Sequence, residues 1–263
     1  MPLNPYAGIR PFDLPLDQGD ENEDAGRQLQ RVFSMKNSRY FGDETFAFLK
    51  ELDENNSRPW FQENKKRYEA HVKEAAIRFI VDFEPFLKEI SRHFVADPRP
   101  VGGSLFRIYR DVRFSRDKRP YKTNTGVQFR HNQGKDVHAP GFYLHLEPNN
   151  VFAAVGIWHP DSRTLGKIRD AITENPSRWK KAVNKKPFRS RFNLTGDALR
   201  RAPRGYDPDH PLIEDLKRKD FIGITALTQK AVGNPAFPQH FAEVCSAGTS
   251  LVTFLCSVVG LPF

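Results

Sequence analysis

Residues 105–158 change the periodicity of the chain, and that change is its strongest constraint on the fold. On either side, apolar residues recur at intervals of three and four. Within this stretch the interval falls to two, in four runs: LFRIYRDVRF (105–114), TGVQFRH (125–131), GFYLHLE (141–147) and VFAAVGIW (151–158). Each run reads as a strand, with alternate side chains on opposite faces. A loop with Pro120, a polar connection with Gly134 and the turn Pro148-Asn149-Asn150 join them. Connections this short favour antiparallel pairing over helical crossovers.

Helical patterns flank the strands. Residues 44–95 read as two or three helical pieces. Asp43 is the N-cap, Pro59 sits in a first turn, and a fresh start falls at Asp82–Pro85. Downstream, Asp161 caps a helix through Ile172, and another runs from Pro176 to about Lys185. Residues 187–212 read as irregular, Pro211–Arg218 as a short helix and Phe221–Thr228 as a strand. Phe237–Val259 reads as a helix stopped by Gly260 and Pro262. Helices, then strands, then helices predict one α+β domain with a central antiparallel sheet, packed by N-terminal and C-terminal helices. It spans 41–263. Residues 1–40 carry four prolines and an acidic cluster, and read as a poorly ordered tail.

Composition excludes several classes. Hydrophobic residues make up 38% of 263 and Phe numbers 22, too many for a disordered chain. The reading expects no transmembrane helix, no secretory leader and no membrane partner. Cys245 and Cys256, eleven residues apart on one predicted helix, are too distant to pair. They are expected as buried free thiols in a reducing compartment.

The net charge of +9 is concentrated in two blocks. Residues 99–135 hold ten Lys/Arg against two Asp, and residues 178–204 hold ten against one, while the remainder is net acidic. Such blocks suit anionic partners, and equally describe solvated surfaces.

From residue 41 onward the chain resembles a bacterial and fungal family catalogued as domain of unknown function 2461. The resemblance rests on Asn55-Asn56, Arg58, Trp60-Phe61 and Asn64-Lys65, then on the block from Arg107 to Ser115 with Asp117-Lys118 and Pro120-Tyr121-Lys122-Thr123. It continues through Pro140-Gly141-Phe142-Tyr143, His145, Glu147-Pro148, Gly156-Ile157-Trp158, Asp209-His210-Pro211 and Phe221. Ala153-Ala154-Val155 departs from it, standing where more glycine would be expected. The resemblance implies one globular domain in a cytoplasmic protein, and carries no activity.

Strand alternation nominates the functional residues. In the first run Arg107, Tyr109, Asp111 and Arg113 share a face; in the third, Tyr143, His145 and Glu147 do. If those faces meet, they form a patch for a small anionic ligand, phosphate or carboxylate. Arg107, Arg113 and Lys118 would hold the anion, with Tyr109, Tyr121, Lys122, Tyr143 and Trp158 lining it and Asp111 within it. His145 and Glu147 are the acid–base candidates. The competing expectation is an ordinary solvent-facing polar sheet surface, or a buried structural network. The basic blocks with interleaved Phe and Tyr leave a nucleic-acid or acidic-protein binding module as the alternative function. No metal-ligand spacing, nucleophile elbow or phosphate-binding glycine loop is present, so no metal and no particular cofactor is expected.

Overall fold

The computed structural model describes residues 40–134 and 138–263. The expected tail lies outside these residues except for Tyr40, which belongs to the domain. Tyr40 is buried, donates from its hydroxyl to Asp82 Oδ2 at 2.7 Å and meets Phe79 edge-on.

The N-terminal helices follow the predicted stripes. Helix α1 (Asp43–Glu54) buries Phe46, Phe48, Leu49 and Leu52. Its N-cap is Gly42 rather than Asp43, which lies with Glu44 in the first turn, where the helix dipole favours carboxylates. Helix α2 (Arg58–Glu63) starts at Pro59, and α3 (Lys65–Tyr68) passes through a π-turn at Glu69–Lys73 into α4 (Glu74–Ile90). The expected restart at Asp82–Pro85 is absent. Pro85 lies inside α4, and Val81, whose carbonyl loses its usual donor, is an exposed residue, where solvent can take the donor's place.

Six strands form one antiparallel sheet. They are β1 (Phe94–Val95), β2 (Thr125–His131), β3 (Gly141–Glu147), β4 (Asn150–Ile157), β5 (Asn193–Thr195) and β6 (Phe221–Leu227), in the order β1-β2-β3-β4-β6-β5. β2 and β3 match the predicted runs residue for residue, and β4 and β6 match within a residue at each end. The short strand β5 lies in the stretch read as irregular, after helices α5 (Ser162–Glu174, capped by Asp161), α6 (Pro176–Asn184) and α7 (Lys186–Arg191). Three residues between basic turns give too little periodicity to read. The remaining elements are α8 (Ile213–Leu216), α9 (Gln229–Gly233) and α10 (Phe237–Val258).

The two faces of the sheet differ. Val127, Phe129, Phe142, Leu144, Leu146, Val151, Ala153, Val155 and Phe221 point into the main core, shared with α4 and α10. Glycine at 248 lets α10 sit against β4, since a Cβ there would come 2.7 Å from Val155. Helix α10 is long and apolar enough to cross a membrane by length and composition alone, and half of that stretch is buried in the protein. Here Phe241, Val244, Leu251, Val252 and Leu255 fill the core instead. Cys245 and Cys256 are free and buried on α10; burial pushes the Cys245 thiol well up and that of Cys256 to about 12.

The first predicted strand is the main correction. Residues 105–114 are extended but form only two isolated bridges, Leu105 to Val127 and Tyr109 to Tyr121. Four residue steps on one side face six on the other, so two residues of 121–127 are looped out between the bridges. The segment leaves the sheet as an irregular hairpin, 105–122, with Arg107, Tyr109, Asp111 and Arg113 on its exposed side as predicted and Ile108 on its buried side. The hairpin rests on a small second core of Phe48, Leu49, Leu52, Phe61, Val72, Ile108 and Tyr121. The Asn56 side chain anchors it by donating to Tyr121 O and accepting from Tyr121 N, both at 3.1 Å.

Candidate functional site

The second sheet face carries the side chains that alternation turned away from the core. Tyr143, His145 and Glu147 of β3 stand in a row, as predicted. His145 is 2% exposed and stacks on Phe152 at 4.5 Å between ring centroids. Its Nδ1 lies 3.1 Å from the Tyr143 hydroxyl and its Nε2 lies 3.3 Å from Glu147 Oε2. Asn150 Nδ2 donates to the same carboxylate oxygen at 2.8 Å. The imidazole lies between its partners, Nδ1 toward the tyrosine hydroxyl and Nε2 toward the carboxylate, giving a continuous path from Tyr143 through His145 to Glu147. Burial alone would raise the Glu147 carboxyl, but hydrogen bonds from His145 and Asn150 and the imidazole's charge outweigh it and hold it below its usual value.

Position 126 makes room for this row. Gly126 pairs with His145 in the register, and a Cβ there would lie 2.5 Å from the Tyr143 hydroxyl. Glycine lets the Tyr143 ring lie across β2 toward Phe106, 5.9 Å away. On the far side of Phe106, Lys122 Nζ lies 5.5 Å from the ring centroid. The Lys122 backbone N–H donates to Ile108 O, which sets this lysine beside Arg107. Burial and the neighbouring Arg107 charge push the Lys122 ammonium pKa down.

The nominated residues therefore separate into two groups. Tyr143, His145 and Glu147 come together, with Lys122 and Arg107 reached through Phe106. Trp158 shares the same face, against the buried strip Phe152, Ala154, Ile222 and Ile224. Tyr109, Asp111, Arg113, Lys118 and Tyr121 do not join them, because the hairpin leaves the sheet. Tyr121 is buried in the second core, stacked on Phe61 at 4.1 Å, and Tyr109 packs beside it. Arg113 is engaged by Asp111, whose carboxyl it lowers to about 2. Lys118 donates to Val112 O. Trp60 and Phe61 serve the second core.

Sequence reasoning missed Gly126, Phe106, Asn150 and Phe152. Phe152 had a readable signal, since it lies on the predicted strand face opposite Val151 and Ala153, whereas Asn150 fell in the predicted turn. Phe106 had none, because its side is set by the pairing of Leu105 with Val127, which alternation does not record. Among the described residues no group of three or more His, Cys, Asp or Glu is placed to hold a metal ion.

No curated protein and no solved structure matches the chain. A family model described as a conserved hypothetical protein (DUF2461) matches residues 44–254. That span holds every strand among the described residues, the second core, most of the main core and the whole Tyr143–His145–Glu147 row, and the chain belongs to this family.

Proposed function

We propose that the second sheet face binds a small anionic ligand, a phosphate or carboxylate, beside the Tyr143–His145–Glu147 row. The observation that supports this reading is a contrast among the hairpin's cations. Arg110, Arg113 and Arg119 are each paired with an aspartate. Arg107, Lys122, Arg116 and Lys118 form no ion pair among the described residues; of these four only Lys122 is half-buried, it feels the Arg107 charge, and the Arg107 charge also reaches the Asp111 carboxylate. Two neighbouring cations, one of them half-buried, repel each other, and an anion relieves that repulsion. His145 would relay a proton between Tyr143 and Glu147 as the ligand's charge changes, which is the acid–base chemistry the row can supply.

A thermal-shift panel of phosphate, sugar phosphates and dicarboxylates tests the reading at low and high salt. The expected result is a rise in Tm that survives high salt and disappears in Lys122→Ala and Arg107→Ala. A shift retained in both variants would overturn it.

A nucleic-acid surface is the second reading, favoured by the other basic block. Arg178, Lys180, Lys181, Lys185, Lys186, Arg189 and Arg191 are all exposed on or between α6 and α7. Binding there would weaken steeply with salt, whereas binding at Lys122 would not.

A further inference from the structure

A second histidine–carboxylate pair lies at the opposite end of the same sheet face. Asp220, immediately before β6, is 0% exposed. Its Oδ1 accepts from His159 N and from His159 Nδ1, each at 2.8 Å, and its Oδ2 accepts from Asp197 N at 2.8 Å. Both carboxylate oxygens are thus engaged, and one of the three bonds holds the imidazole. The His159 side chain is one-third exposed, and its Nε2 has no partner among the described residues.

Three costly features meet at this point. A carboxylate is buried away from water. His159 has φ +47°, the left-handed region that side chains disfavour. The Trp158 indole N–H is buried with no acceptor among the described residues. Gly196, at φ +121°, brings its backbone against Asp220 where a Cβ would come within 2.4 Å of the Asp220 Cβ. A packing role for His159 would not need an open Nε2. Orienting that nitrogen outward accounts for the arrangement, because local violations of folding preference concentrate at functional sites.

We propose that His159, positioned by Asp220, is a general base that activates water against an uncharged carboxylic ester. Water gives its proton to His159 Nε2 as its oxygen attacks the acyl carbon. The carbon–oxygen bond to the leaving alcohol then breaks, and the imidazolium returns its proton to that alcohol or to solvent. Asp220 keeps the Nδ1 proton and stabilises the imidazolium. An uncharged substrate suits the surroundings. The buried carboxylate disfavours an anion, and the Trp158 ring, stacked on His159 at 4.6 Å, supplies an apolar wall. Trp158 packs on the same apolar strip as Tyr143, but it lies four residues beyond Ala154, the register partner of Tyr143, roughly 13 Å at strand spacing. The His159 chemistry does not use the Tyr143–His145–Glu147 row, so its test is independent of the function proposed above.

The test is release of p-nitrophenol from p-nitrophenyl acetate by the full chain. The expected result is hydrolysis faster than by free imidazole at equal concentration, reduced at least tenfold in His159→Gln and unchanged in His240→Gln. Nitrogen NMR of labelled histidine should place the His159 proton on Nδ1, and Asp220→Asn should lose both that signature and the activity. If Asp220→Asn does not fold, His159→Gln decides, since its side chain lies at the surface. Equal rates in wild type and His159→Gln, or a wild-type rate no greater than free imidazole, would overturn the proposal.

Discussion

Gly126 and Tyr143 occupy one space: the tyrosine ring lies where a side chain at 126 would be, with its hydroxyl 2.5 Å from the position of a Cβ. That arrangement lets Tyr143 reach His145 Nδ1. Gly126→Ala forces the ring away and strains β2. The expected cost is about 1–3 kcal/mol, the range for overpacking a well-filled site. It should appear as a lower urea midpoint with an unchanged slope.

Glu147 ties stability to acid pH. Its folded-state pKa lies below the ordinary 4.5, because the hydrogen bonds from His145 and Asn150 outweigh burial. The charged carboxylate therefore stabilises the fold above about pH 4.5, and that contribution is lost as pH falls through the lower folded value. Wild type and Glu147→Gln should differ most in Tm at neutral pH and converge on acidification. A constant difference from pH 7 to pH 3 would contradict this.

His131 acts in a higher window. Fully buried at the end of β2, it donates from Nε2 to Pro262 O at 2.9 Å and accepts at Nδ1 from Gln133 N at 3.1 Å. Burial pushes its pKa below 6.5, more strongly than the Pro262 carbonyl raises it, and His93 stacked alongside adds to the lowering. The unfolded chain takes up the proton first, so stability is full above about pH 6.5 and declines as pH falls toward the folded value. His131→Gln should flatten Tm against pH between 7 and 5, although its Tm at pH 7 is lower.

Asn56 should matter more than its place in a turn suggests. Its amide satisfies both backbone groups of Tyr121, a residue that is 2% exposed. Asn56→Ala leaves a buried donor and acceptor unpaired, at about 1–3 kcal/mol. Asn56→Asp keeps the acceptor and loses the donor, so its urea midpoint should fall between those of wild type and Asn56→Ala.

Local pattern sufficed for most of the architecture. The two-residue period of 125–131, 141–147 and 151–158 set the strands and their two faces, because pleating ties alternation to burial directly. It placed Tyr143, His145 and Glu147 in one row for the same reason. The stripes in 44–95 and 237–259 set the helices, although a proline inside α4 showed that a breaker yields where the freed carbonyl lies beside an exposed position. The tertiary structure alone decided the remainder. The pairing of Leu105 with Val127 brought Phe106 to Tyr143, and two residues looped out before the next bridge accompany the departure of Tyr109, Asp111 and Arg113 from the sheet. Nothing in alternation records an insertion made across two strands. Asp220 and His159 are 61 residues apart and meet only because β4 and β6 pair, leaving their ends side by side. Periodicity reports which way a side chain faces. Its neighbours depend on register and long-range pairing, which are settled when the whole chain packs.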